Sequence, residues 1–232
     1  MPGLSLIIPT YNAAERLRAC LDSLKAGANL TDDASFPVEL IISDGGSTDG
    51  TRQLARERGC RLLDGPPGRG RQLRTAAEAA NGEWLFFLHA DSRLPPDWMT
   101  ALRRFMSAEG SRDTAGYGRL RLDSNRPAAR RVERLANWRA ARLGLPYGDQ
   151  GLLIARTTYE AVGGYRDIPL MEDVDLVRRL GRARLRPLAI EIVTAADKYE
   201  QQGWWKRPCL NLCRLTLYLL GVPERYLARG YR

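Results

Sequence analysis

Three short apolar runs in this chain end in residues equipped for hydrogen-bonding or acid–base chemistry. Trp84-Leu-Phe-Phe-Leu88 is followed by His89-Ala-Asp91 and then by Ser92-Arg-Leu-Pro-Pro96, and His89 is the only histidine in the sequence. Leu4-Ser-Leu-Ile-Ile8 runs into Pro9-Thr-Tyr-Asn12, and Val38-Glu-Leu-Ile-Ile-Ser43 into Asp44-Gly-Gly-Ser-Thr-Asp-Gly-Thr51. A continuous apolar run of this length reads as a strand of a parallel sheet buried on both faces. Ligands collect in the crevice beyond the carboxyl ends of such strands. One such end is equally well read as a buried strand followed by an ordinary polar loop. Three ends that can line one edge of one sheet are much harder to produce by accident.

The elements needed to position these ends are legible. Leu17, Cys20, Leu21 and Leu24 recur at helical spacing and predict a helix over 13–26, with Asn12 as N-cap and Glu15 three residues on. A helix over 50–58 is stopped by Gly59. There follow a strand at 60–64, a helix at 70–80 ending before Asn81-Gly82, a strand at 83–89, and a helix at 96–107 with Pro96 in its first turn. The second half is less regular: strands at 115–122, 151–155 and 188–193, with helices at 127–143 and 172–182. Strands alternating with helices of these lengths predict an α/β fold with a mostly parallel, doubly wound sheet.

The 232 residues carry a net charge of +9, unevenly placed. Residues 112–142 hold nine arginines against three acids, and residues 198–232 hold seven bases against two acids. Such segments suit nucleic acid, anionic lipid or a phosphorylated ligand, or form a solvated helix surface. The N-terminus has no basic leader and Pro9 stops its apolar run, so a signal peptide is not expected and a cytoplasmic protein is. Cys20, Cys60, Cys209 and Cys213 form no Cys-x-x-Cys pattern, and no further ligand completes a zinc site at the last two. All four are read as reduced and structural. The Gly-x-Gly-x-x-Gly and Gly-Lys-Ser/Thr phosphate loops are absent. Gly65-Pro-Pro-Gly-Arg-Gly-Arg71 is a glycine-rich strand–helix junction at which backbone amides with Arg69 or Arg71 can hold phosphate oxygens; as an ordinary turn it is equally well explained.

Pro9-Thr-Tyr-Asn12, the Asp44–Thr51 segment, His89-Ala-Asp91, Gly148-Asp-Gln-Gly151 and Met171-Glu-Asp173 stand in the order and spacing of family 2 glycosyltransferases, which the chain resembles from Leu4 to about Val193. The resemblance implies a GT-A (Rossmann-like) fold, a nucleotide-sugar donor and inversion at the anomeric centre. It implies that Pro9, Thr10 and Tyr11 edge the nucleotide pocket, that Asp44 accepts a hydrogen bond from the base beside Gly45, and that Ala90 also lies on the donor side. Asp49 is read as a helix cap. Asp91 corresponds to the last acid of the family's Asp-x-Asp signature, which binds Mg²⁺ or Mn²⁺ at the donor diphosphate. His89 stands where the first Asp would be, either as a second ligand, acceptable to Mn²⁺, or as a hydrogen-bond partner of the ribose or diphosphate. Asp173 corresponds to the general base, with Glu172, Asp149 and Gln150 on the acceptor side of the cleft. The small size, the Leu88–Pro95 loop and the Gly148–Gly151 loop look like a compact bacterial subgroup linked to radical-SAM-associated clusters, including arsenosugar biosynthesis. That likeness implies a small-molecule or lipid acceptor.

The domain is expected to span 1–200, followed by a helical C-terminal extension over 201–232. Gln202-Gly-Trp-Trp-Lys-Arg207 only echoes the motif of processive members. Lys198, Lys206 and Arg207 are read either as a basic lid over the diphosphate or as an exposed amphipathic segment. The apolar stretch from Pro208 to Leu220 is interrupted by Arg214 and is shorter than the roughly 20 residues of a spanning helix. It either packs on the domain or on a second copy as a homodimer contact, or lies in a membrane interface at the inner face. Nucleic acid is not expected as a partner. Two other functions compete: a sugar-1-phosphate nucleotidyltransferase, whose glycine-rich signature should follow the first strand, and a non-catalytic basic binding module. The latter leaves Asp44, Asp91 and Asp173 without a purpose, because acids in a groove repel phosphates unless a cation is present.

Overall fold

The computed structural model describes residues 3–27 and 36–228. Strand β1 (Leu4–Thr10) lies between β2 (Val38–Asp44) and β4 (Trp84–Phe87), parallel to both, and β3 (Arg61–Asp64) extends the sheet beyond β2. The apolar runs are continuous because both faces are covered. Ile7, Ile41 and Phe87 belong to one core, while Leu6, Ile8, Ile42 and Phe86 belong to the other. Helices α1 (Ala14–Gly27), α2 (Thr51–Glu57), α3 (Arg69–Ala79) and α4 (Trp98–Met106) follow these strands, with α1 and α4 packed on the second core and α3 on the first.

Beyond β4 the sheet changes character. Strand β7 (Leu152–Ala155) runs antiparallel to both β4 and β6 (Ala115–Leu122). β6 is parallel to β8 (Leu185–Thr194), and a short β5 (Ser92–Arg93) closes the far edge against β8. The order is β3-β2-β1-β4-β7-β6-β8-β5, a mixed but mostly parallel sheet flanked by helices. Helices α5 (Pro127–Leu143), α6 (Arg156–Ala161) and α7 (Glu172–Leu180) complete the layers, followed by α8 (Asp197–Gln202), α9 (Lys206–Leu219) and α10 (Glu224–Leu227). Leu215 of α9 and Leu227 of α10 enter the same core as Val174 and Val177 of α7. The Tyr218 hydroxyl donates to Asp175 Oδ1 at 3.4 Å, a second tie between α9 and α7. The last residues of the expected extension, 229–232, lie outside the described residues.

Several expectations need local correction. The strand expected over 83–89 ends at Phe87, because the chain bends after the Leu88 amide has bonded the Ile7 carbonyl and Ser92 N–H turns back to the His89 carbonyl. Pro96 precedes α4, whose N-cap position is Asp97, with Trp98 N–H bonded to the Pro95 carbonyl. β8 begins at Leu185, three residues early, with a register irregularity opposite Tyr117 and Arg119 beside Pro187. Asn12 does not cap α1. It turns through φ 46° and its side-chain oxygen accepts from Thr48 N–H at 2.8 Å. The α1 amides of Ala13 and Ala14 go instead to the Thr51 hydroxyl and the Asp49 carboxylate. Asp49 also accepts from Thr51 N–H at 2.9 Å, so one carboxylate caps the first turns of two helices. Cys20 and Cys60 are buried free thiols, but Cys209 and Cys213 are exposed on α9 and pack no core.

Candidate active site

The carboxyl ends of β1, β2 and β4 meet at one edge of the sheet, as the order of strands requires. Thr10 is paired with Asp44 in the β1–β2 register, and its hydroxyl donates to Asp44 Oδ2 at 2.8 Å. Asp44 also accepts from Gly46 N–H (3.0 Å), Ser47 N–H (2.7 Å) and the Ser47 hydroxyl (2.6 Å). All four positions of this fully buried carboxylate are occupied, one by Thr10 of the neighbouring strand and three by its own loop. Asp44 therefore organises the edge rather than presenting an acceptor to it. Gln72 of α3 ties the same two strand ends, donating to the Thr10 and Ser43 carbonyls at 2.8 and 2.7 Å. Gly45 sits beneath this side chain, where an added Cβ would lie 3.2 Å from it. Above this platform Pro9, Tyr11, Ala90, Asp91, Arg69 and Lys198 border an open recess.

A second recess adjoins the first and shares His89, Asp91, Arg69 and Lys198 with it. Its far side is formed by the loop 147–149 and by Asp173 at the start of α7. Gly148 is the hinge between the two. Its amide donates to Asp173 Oδ2 at 2.8 Å, and a Cβ there would fall 2.4 Å from His89 Nε2. No other residue lets the imidazole and the carboxylate pack against the same backbone. Met171, just before Glu172, is one of two non-glycine residues with positive φ among the described residues, at 65°. A methionine held there is strained, and strain of this kind gathers where geometry is imposed by function.

Arg69 owes its position to Glu172. The two form a salt bridge in which Glu172 is almost fully buried. Gly70 makes this possible, since a Cβ on it would stand 2.3 Å from the Arg166 carbonyl and block the approach of α3 to the α7 loop. Glu172 is thus an anchor beneath the cleft rather than part of its acceptor surface. Its pKa is raised by burial, against the opposing pull of Arg69. Gln150 is also displaced from its expected place. It is fully buried and donates to the Gly118 carbonyl and to Asn137 Oδ1, joining β6 and α5. Arg71 points away, paired with Asp167 at 2.7 Å on the surface.

The acids left in the cleft differ from Asp44 in a telling way. Asp91 Oδ1 and Asp149 Oδ1 are buried and have no hydrogen-bond partner. A buried carboxylate oxygen without a donor is costly unless something else comes to meet it. Burial pushes Asp149 up to about 6, with Asp173 and Asp91 adding to the rise and Arg139 opposing it. His89 is pushed down to about 4, first by burial and then by Arg69, against Asp91 and Asp173. The imidazole is therefore neutral at pH 7 and keeps a lone pair. Among the described residues no group of three or more His, Cys, Asp or Glu is gathered for a metal ion. A Mg²⁺-type cation bound through one or two carboxylates takes its other oxygens from phosphates and water. Asp91, with His89 or Asp149 nearby, fits that partial set.

Comparison with known proteins bears directly on this arrangement. A family model described as glycosyl transferase family 2 matches residues 5–159. The chain belongs to this family. Over 100 residues it is 40% identical to a PGL/p-HBAD biosynthesis glycosyltransferase of Mycobacterium bovis (strain BCG / Pasteur 1173P2), which covers 40% of this chain and 37% of that protein. It thus spans well under half the length of that relative. Over 209 residues it is 25% identical to the succinoglycan biosynthesis protein ExoA of Rhizobium meliloti, covering 78% of this chain and 58% of ExoA. The structure of residues 1–349 of S. aureus TarS superposes with a TM-score of 0.65 at 18% identity, over 98% of this chain and 68% of that one. The mannosyltransferase PcManGT from Pyrobaculum calidifontis, solved in complex with GDP-Man and Mn2+, gives a TM-score of 0.62 at 20% identity, over 83% and 56%. These likenesses establish the GT-A fold.

In this family 2 chain the match ends at residue 159, yet part of the cleft wall comes from beyond it. Arg207, Asn211 and Arg214 of α9 line the second recess with Lys198 and Tyr199. Lys198 and Arg207 belong to the basic segment expected near the diphosphate, and a spacing of four and three residues from Arg207 places Asn211 and Arg214 on the same helical face. Tyr147 lines the same recess. It stands over the guanidinium of Arg139, 3.4 Å from the ring centre, and nothing in its local sequence distinguishes it.

Proposed function

We propose that the cleft transfers a sugar from a nucleotide-diphosphate donor to an acceptor hydroxyl, with inversion at the anomeric carbon. The observation that carries this reading is the pairing of a partnerless buried Asp91 oxygen with Asp173 across one recess bordered by Arg69 and Lys198. The nucleotide lies over Pro9, Thr10 and Tyr11 with Ala90 beside it, on the platform that Asp44, Gly45 and Gln72 hold in place. Asp91, with neutral His89 alongside, would hold a divalent cation, Mg²⁺ or Mn²⁺, whose chemistry there would be to supply positive charge at the donor diphosphate. The Mn²⁺ in the PcManGT complex supports a metal of this class.

Asp173 takes the proton of the acceptor hydroxyl as its oxygen bonds to the anomeric carbon. The bond from that carbon to the diphosphate breaks with its electron pair, and the nucleoside diphosphate leaves with the added negative charge. Arg69 and Lys198 face that charge. Gly148 N–H steadies Asp173 through one oxygen, which fixes its aim. Asp149 borders the acceptor space. The acceptor is a small molecule or a lipid, as the resemblance to the compact subgroup linked to radical-SAM-associated clusters implies.

Thermal stabilisation by UDP, GDP, TDP and CMP, each with and without Mn²⁺, tests the donor half. One nucleotide should raise the melting temperature in a metal-dependent way, and Asp91→Asn should abolish that dependence. Asp173→Asn should keep the nucleotide shift and lower turnover by about 10²–10⁴-fold, the usual weight of a general base. An Asp173→Asn protein with wild-type turnover would remove the assignment of the base. Release of pyrophosphate from a nucleoside triphosphate and a sugar phosphate would replace transfer by nucleotidylation.

A further inference from the structure

Helix α9 carries two faces of different kinds. One face holds Arg207, Asn211 and Arg214 against the cleft and sinks Leu215 into the core. The other leaves Leu212, Leu217 and Leu219 in solvent, flanked at its two ends by Trp205 and Leu220. Leu212, Trp205 and Leu220 are 62%, 66% and 75% exposed; single exposed leucines are ordinary, but a run of apolar side chains along one helix is not. The patch does not stop at α9. The Arg131 guanidinium of α5 lies over the Trp205 ring at 5.0 Å. Leu135 and Trp138, one and two turns further along the Arg131 face of α5, are 63% and 56% exposed.

The surroundings of the patch say what covers it. Arg131, Arg134 and Lys206 are exposed around it. A second copy seated on the same patch would pair the surface with its own image and set these cations against one another. An anionic lipid surface complements them instead, since basic residues near the headgroups are drawn to its negative potential. The α9 helix has 14 residues, about 21 Å, and no described helix is long and apolar enough to cross a membrane. Its length and its split faces suit a helix lying in the plane of the interface.

We infer that the outer face of α9, with Trp205 and the adjoining face of α5, docks on the surface of an anionic phospholipid membrane. α9 then stands between bilayer and cleft, with its leucines among the acyl chains and its arginines toward the site.

Sedimentation with phosphatidylcholine vesicles, with and without phosphatidylglycerol, tests this on the full chain. The protein should pellet with the phosphatidylglycerol vesicles, more weakly as salt is raised. Leu212→Glu with Leu220→Glu should weaken binding by at least about tenfold, since each removes a side chain's worth of apolar burial. Both positions are exposed, and an unchanged melting temperature and nucleotide shift would certify the folded state of the variant. A polarity-sensitive fluorophore on exposed Cys213, in a Cys209→Ser background, should report an apolar environment only with anionic vesicles. Failure of the folded wild type to pellet, equal binding by the double variant, or a fluorophore that stays in water would each overturn docking. So would a wild-type dimer that the double variant splits without any vesicle binding. Because the readout is vesicle binding, these outcomes are independent of whether sugar transfer is found.

Discussion

The two sides of the cleft are built by different means. The donor side rests on three parallel strand ends, and its polar groups are spent on one another: Asp44 holds Thr10 and Ser47, Gln72 holds two strand carbonyls, and Asp49 caps two helices. The opposite side is assembled from the 147–149 loop, the strained turn at Met171 and a helix more than 30 residues further along. There the groups are left partly unspent, with bare oxygens on Asp149 and, at the junction of the two sides, Asp91. A platform that must hold its shape saturates its hydrogen bonds. A surface that must meet something else leaves bonds to be made, and accepts the cost.

Exchanging carboxylates on either side should expose this difference most strongly. Asp44→Ala removes at once the acceptor for the buried Ser47 amide, the partly exposed Gly46 amide and two buried hydroxyls. A loss of about 3 kcal/mol or more is expected, from about 1–3 kcal/mol for each buried donor left unsatisfied. Asp91→Asn should leave stability within about 1 kcal/mol of wild type, because the oxygen it alters has no partner to lose. Urea unfolding of the two variants side by side checks both. Equal losses would mean that Asp91 is as much a structural group as Asp44, and the contrast between the two sides would fail.

The same contrast explains how much was legible in the sequence. The three apolar runs, the helices between them and the edge where their ends meet follow from periodicity, because a strand buried on both faces has no other pattern. Which way a strand-end acid points does not follow. Asp44 and Asp91 look alike in sequence, but the path of the loop to Ser47 turns one inward. Gln150 stands beside Asp149, yet its amide is drawn inward by Gly118 and Asn137, two partners far apart in the chain. Arg69 and Arg71 are separated by one residue, and their partners, buried Glu172 for one and surface Asp167 for the other, distinguish the one that faces the cleft. Such choices depend on contacts made between segments. Arg207 was legible as a basic group near the diphosphate, whereas Asn211 and Arg214 follow from it only through helical spacing, in a stretch that is otherwise apolar.

A weaker effect should separate the two sides by pH. Asp149 is raised to about 6 from the ordinary carboxylate value near 4, so the folded protein holds this proton more tightly than the unfolded chain does. Its contribution to stability is full below about pH 4 and is lost as the pH rises through about 6. His89 acts in the opposite sense. Lowered to about 4, it contributes fully above about pH 6.5 and loses that contribution as the pH falls through about 4. The two slopes largely offset each other in the wild type. Asp149→Asn should therefore unmask the His89 slope, with stability rising between about pH 4 and 6 and a gain of about 3 kcal/mol over wild type at pH 7. Calorimetric melting across that range is the measurement. A variant whose profile overlays the wild type would show that Asp149 is not held against its charge.

The smallest effect expected is at Arg71, and it bears on which arginine serves the donor. Its partner Asp167 is 42% exposed, and the Arg71 side chain itself is 47% exposed. A pair so open to water contributes at most about 1 kcal/mol, and Asp167 left alone is simply hydrated. Arg71→Ala should therefore cost at most that much in unfolding free energy and leave the affinity for the stabilising nucleotide unchanged. Arg69 presents the opposite case, since its removal strands Glu172 in the interior without its cation. Should Arg71→Ala instead weaken the nucleotide about tenfold or more, the side chain must leave Asp167 when the donor binds. The glycine-rich junction would then belong to the responsive side of the cleft rather than to the platform.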